Sequence, residues 1–143
     1  MLITERAPVA ARRIAIYLPA IEFQDARAAY LADWAAGGTS ATFGAWIAQV
    51  LDEHAARTPG ERATVASTLD SGALLDPQTR TFAIEEHTAA RVTAALTADH
   101  AAGRWPSESA WAREALAVAV THSRQRDGSL PTPPDRLPNR LRR

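Results

Sequence analysis

The chain carries the same pattern twice, and each copy is too short to fold alone. A β-rich stretch, a helix, a glycine turn and a second helix run from about residue 13 to 57 and again from about 80 to 124. The anchors are Gly44-Ala45-Trp46 and Ser109-Ala110-Trp111, each set just inside an amphipathic helix. Trp46 pairs with Trp111 at a separation of 65 and Gly37 with Gly103 at 66, so the second turn is one residue shorter. Units that cannot bury their own apolar face are stabilised by packing on each other, which predicts a fold made by pairing the two copies.

Periodicity fills in the elements. In Arg13-Ile14-Ala15-Ile16-Tyr17-Leu18-Pro19, Ile14, Ile16 and Leu18 point one way and Arg13, Ala15 and Tyr17 the other, as in a half-buried strand. The helix that follows repeats Phe23, Ala26, Tyr30 and Trp34, and Gly37-Gly38 stops it. Thr42 is placed to cap a second helix with a stripe of Phe43, Trp46, Ile47, Val50 and Leu51. Thr58-Pro59-Gly60 reads as the close of the first unit, and a short helix is expected over 62–69, with an extension toward 75, before an Asp76-Pro77 turn. In the second copy Phe82 and Ile84 are the inward strand residues and Thr81, Ala83 and Glu85 the outward ones. Ala89, Val92 and Leu96 line its first helix, and Pro106-Ser107 caps its second, which presents Trp111, Ala115, Leu116 and Ala119 inward.

The expected organisation is an arm (1–11), a first unit (12–60), a linker (61–78), a second, degenerate unit (79–124) and a flexible basic tail (125–143). Residues 123–143 carry six Arg against two Asp, whereas the rest of the chain is slightly acidic. Four prolines, at 131, 133, 134 and 138, argue against regular structure there. The chain has no cysteine, no apolar run near the ~18 residues a membrane helix requires, and no apolar core in its first residues of the kind a signal peptide carries. The expected location is the cytoplasm.

The strand ending in Leu18-Pro19, then helix, glycine turn, Thr cap and helix, resembles the ribbon-helix-helix (MetJ/Arc-type) DNA-binding family over residues 12–57, and 79–124 resembles it more weakly. Phe43-Gly44-Ala45-Trp46-Ile47, with His54-Ala55-Ala56-Arg57-Thr58-Pro59 after it, is similar to the C-terminal domain of actinobacterial plasmid centromere-binding (ParB-type) partition proteins. The resemblance implies a mainly α fold, a tandem ribbon-helix-helix in which two short antiparallel strands pair, with four main helices plus a short linker helix. It also implies that the ribbon enters the DNA major groove. On that reading Arg13, Ala15, Tyr17, Thr81 and Ala83 contact bases. Arg13 suits the fork on guanine O6 and N7, and Thr81 the thymine methyl.

Phosphates would be held by Arg12 and Arg80 and by the helix starts at Thr42, Phe43, Gly44, Ser107 and Ser109, where unpaired amides and the helix dipole favour anions. Glu85, Glu86 and Glu108 depart from the pattern, since carboxylates repel phosphate, and Arg80 replaces an inward aliphatic residue. Trp46 and Trp111 read as core, while Trp105 in a turn reads as a contact for a partner. The four histidines form no metal-ligand or acid–base spacing, and no nucleotide or nucleophile motif occurs. Neither a cofactor nor an enzymatic activity is expected. The reading is a sequence-specific binder of double-stranded DNA, a centromere-binding partition factor or a transcriptional repressor. The alternative is an antitoxin or interaction protein whose C-terminal tail binds a toxin or a ParA-type ATPase. The units could pair within one chain or across a homodimer, with further association along DNA.

Overall fold

The computed structural model describes residues 11–69 and 74–143. The expected arm (but for Ala11) and residues 70–73 of the linker lie outside the described residues. The elements are β1 (Ala11–Pro19), α1 (Ala20–Ala35), α2 (Phe43–Ala56), α3 (Pro59–Ser67), β2 (Pro77–Glu85), α4 (Glu86–Ala101) and α5 (Glu108–Asp127). The fold is mainly helical with one two-stranded antiparallel sheet, and β1 pairs with β2 of the same chain.

The register shows how the two copies meet. Ala15 pairs with Thr81, flanked by Arg13 with Ala83 and Tyr17 with Thr79. Thr81 lies 66 residues after Ala15, the same offset that carries Gly37 to Gly103, so equivalent residues face each other at the centre of the ribbon. A two-stranded ribbon is marginal by itself and needs its apolar face covered. Ile14, Ile16, Leu18 and Ile84 on that face are buried beneath the helices, each burial stabilising by about 1.5–3 kcal/mol.

The helices close the pairing crosswise. The first helix of each unit packs mainly on the second helix of the other, α1 on α5 and α4 on α2. The two units therefore share one core. Trp46 and Trp111 sit in the shared core, as their place in each stripe requires. Phe43 stacks on Trp46 with centroids 5.9 Å apart and meets Phe23 and Phe82 edge-on.

Both glycine stops adopt the left-handed conformation, Gly37 at φ 97° and Gly103 at φ 89°. Each belongs to a Schellman turn, in which Gly38 N–H donates to Asp33 O at 2.8 Å and Arg104 N–H to Asp99 O at 2.9 Å. Thr42 and Ser107 cap α2 and α5, each hydroxyl accepting from the amide three residues on at 3.1 Å.

Four expectations need correction. Pro77 opens β2 instead of lying in a turn, because proline is tolerated at the first residue of a strand; the strand accordingly includes Gln78 and Thr79. Thr58-Pro59-Gly60 starts a helix instead of ending a unit. Thr58 Oγ1 accepts from Glu61 N–H and Glu61 Oε1 accepts from Thr58 N–H, a capping box with Pro59 in the first turn. The second unit extends past residue 124, since α5 runs to Asp127 and ends at left-handed Gly128.

The tail is the fourth. Beyond Gly128 it has no helix or strand, as its prolines require, yet Leu130, Leu137 and Leu141 pack against the core. Arg27 donates to Pro134 O at 2.7 Å and Asp135 O at 3.1 Å, and Leu141 N–H donates to Ala41 O at 2.7 Å. Arg143 donates to Trp34 O in the last turn of α1 and to Gly38 O just past it, and lies 4.2 Å over the Trp34 ring. Carbonyls at a helix C-terminus lack intrahelical donors and attract cations, which gives the terminal guanidinium its place.

Candidate nucleic-acid interface

Because side chains alternate along a strand, burying Ile14, Ile16, Leu18 and Ile84 turns the other set outward. Arg13, Ala15, Tyr17, Thr81 and Ala83 all stand exposed on one face of the ribbon. The fold thus brings the five expected base-contacting residues together. Thr79 and Glu85 complete the face, and Thr79 follows from the repeat itself, since the 66-residue offset maps Arg13 onto it.

The expected phosphate contacts divide. At the start of α2, Thr42 caps the Ala45 amide, and the amides of Phe43 and Gly44 belong to the turn that has no intrahelical acceptor. A side chain at Gly44 would meet nothing within 4 Å, so the backbone there is open to approach. The Phe43 ring itself is taken up in the aromatic cluster.

The start of α5 is used differently. Glu108 takes the Arg12 guanidinium at 2.7 Å, and Ser109 Oγ accepts the Tyr17 backbone N–H at 2.9 Å. These two contacts hold α5 against the free edge of β1. Arg12 is therefore committed to a carboxylate, and Ser109 to the ribbon backbone. Ser107 caps Ala110. Arg80 occupies an inward strand position and lies 4.1 Å over the Phe23 ring, a cation–π contact at the ribbon's underside.

In the basic segment Arg124 pairs with Asp25, Arg126 with Asp33 and Asp127, and Arg143 with carbonyls, so at least three of its six arginines are engaged within the fold. Trp105 is 74 % exposed and stacks on His100 at 4.4 Å.

Beneath the second unit lies a charged network without a local sequence signature. Arg62 of α3 is buried and its guanidinium grips Asp99 of α4, with an Nη2–Oδ1 distance of 2.9 Å. Arg104 bridges Asp99 and Glu114, and Glu114 meets buried His54 Nε2 at 2.7 Å. Arg57 Nη1 lies 2.9 Å from His54 Nδ1. A guanidinium can only donate, so Nδ1 accepts and Nε2 carries the proton toward Glu114: the neutral tautomer satisfies both partners. Burial holds the His54 pKa below its ordinary value against the pull of Glu114. For Asp99, burial favours the protonated form but is outweighed by Arg62 and Arg104. The network ties the linker helix to both units and stands behind the ribbon rather than on it.

Among the described residues no helix is long and apolar enough to cross a membrane. No family model, curated protein or solved structure matches the chain.

Proposed function

We propose that the protein is a sequence-specific binder of double-stranded DNA that lays the outer face of its ribbon in the major groove, acting as a centromere-binding partition factor or a transcriptional repressor. The carrying observation is the exposed face on which Arg13, Ala15, Tyr17, Thr79, Thr81 and Ala83 converge, with every large apolar residue of β1 except Tyr17 turned inward. The major groove admits a two-stranded ribbon, and a guanidinium, a phenol and threonine side chains match the donors, acceptors and methyl groups at its floor. The start of α2, packed against β2 through Phe43 and Phe82, offers amides for phosphate.

The decisive test is selection from a random duplex pool with the purified protein, followed by a salt titration of the enriched duplex. An enriched sequence bound with a shallow salt dependence, on the order of three to six phosphates, supports the reading. A pool that enriches nothing refutes it.

A further inference from the structure

Resting on that reading, we infer that the DNA site is asymmetric: one chain binds one site in a single orientation, and the guanine read by Arg13 lies in one half only. A ribbon built from two identical chains presents each half-site with the same side chains, and its site repeats as a palindrome. This ribbon has the same geometry but not the same surface. Its pseudo-twofold axis passes between Ala15 and Thr81, the equivalent residues paired at its centre. The 66-residue offset makes Arg13 equivalent to Thr79 and Tyr17 to Ala83.

The antiparallel register sorts these residues to opposite sides of the axis. On one side lie Arg13 with Ala83, then Ala11 with Glu85; on the other lies Tyr17 with Thr79, beyond which buried Pro19 pairs with half-buried Pro77. All formal charge on the outer face is therefore in one half. A guanidinium reads guanine through O6 and N7, and a carboxylate accepts from cytosine N4 and is repelled by phosphate. The other half offers a hydroxyl, a phenol and methyl groups, which tolerate more than one base pair.

Spacing turns this into a position. Arg13 is two residues from the axis, about 7 Å at ~3.4 Å per strand residue, or about two base pairs at ~3.4 Å each. Tyr17 lies the same distance on the opposite side. The flanks differ as well, because the α2 start leaves Gly44 open whereas the α5 start, along β1, holds Glu108 on Arg12 and Ser109 on the Tyr17 amide.

The test uses the full chain and a duplex selected as above. The selected motif is expected to lack a palindrome and to bind one chain per site by analytical ultracentrifugation. Single base-pair replacement is expected to show a guanine about two positions from the centre. Arg13→Ala should flatten the preference at that pair by about tenfold or more and leave the opposite half unchanged, whereas Tyr17→Ala should act only on the opposite half. Melting curves for both variants are expected to match the parent, since both side chains are exposed. A palindromic motif, two chains per site, or an Arg13→Ala effect in both halves overturns the asymmetry while leaving DNA binding intact. Enrichment of no duplex overturns the DNA reading and this inference with it.

Discussion

Trp46 donates its indole N–H to Asp33 Oδ2 at 2.7 Å, and the second copy repeats the bond, Trp111 to Asp99 Oδ2 at 3.1 Å. In each unit this pair joins the C-terminal turn of the first helix to the first turn of the second, across the glycine stop. A buried indole N–H needs an acceptor, and a carboxylate one helix away provides it. The two carboxylates then diverge. Asp33 is shared with Ser123 and Arg126 near the surface, whereas Asp99 is enclosed by Arg62 and Arg104.

That divergence sets unequal costs. Asp99→Ala is expected to destabilise by about 3–5 kcal/mol, because it leaves the buried Arg62 guanidinium without its counter-charge. Asp33→Ala should cost less, about 1.5–3 kcal/mol, the range for hydrogen bonds to a charged group. Trp46→Ala removes the ring as well and should cost about 3–5 kcal/mol. Urea unfolding of the three variants checks the ranking, and an Asp33→Ala protein weaker than Asp99→Ala would contradict it.

Stability should fall in two steps on acidification. His54 is held neutral in the fold, its pKa lowered from 6.5 chiefly by burial, so the unfolded chain takes up the proton first. Its contribution is complete above about pH 6.5 and declines as pH falls toward its folded value. Asp99 and Glu114 are held below their ordinary 3.8 and 4.5, burial being outweighed by Arg62 and Arg104 in the first case and by His54 and Arg104 in the second. Their contribution is present above the ordinary carboxylate range and is lost below it. Melting temperature measured between pH 8 and pH 3 should show both steps. His54→Gln should remove the upper one, and a variant that keeps it would assign that step elsewhere.

Removing residues 129–143 should lower the melting temperature. Leu141→Ala alone should cost about 1 kcal/mol, as expected for a partly buried leucine, a shift of about 4 °C for a chain of this size. Calorimetry decides, and a truncated chain that melts with the parent would mean that the segment's contacts with α1 contribute nothing.

Because the ribbon and the crossed helix pairs close within one chain, unfolding should not depend on protein concentration. A midpoint that rises between 1 µM and 100 µM would indicate strands exchanged between chains.

What could be read from the sequence was whatever has a local period. Ile14, Ile16 and Leu18 alternate, Trp46 and Trp111 fall mid-stripe, and Thr42 and Ser107 sit where a cap belongs; the structure keeps all of these. The outer ribbon face followed from the same alternation. Thr79 was hidden because Asp76-Pro77 reads as a turn, although proline also opens strands. Pro59-Gly60 reads as a stop, yet Thr58 and Glu61 around it carry the spacing of a capping box.

The Arg62–Asp99 and His54–Glu114 pairs span 37 and 60 residues and have no period to betray them. The tail misled for another reason. Prolines exclude regular structure, but they do not stop three spaced leucines from docking in an extended form.

The most direct measurement is an amide chemical-shift titration of the protein with its selected duplex. Changes should concentrate at Arg13, Ala15, Tyr17, Thr79, Thr81 and Ala83 and at the Phe43 and Gly44 amides, with the Arg62–Asp99 network and α4 unmoved. Saturating binding that leaves the ribbon residues unshifted, with changes gathered on the tail or the α4–α5 turn, would contradict the ribbon as the DNA-reading element.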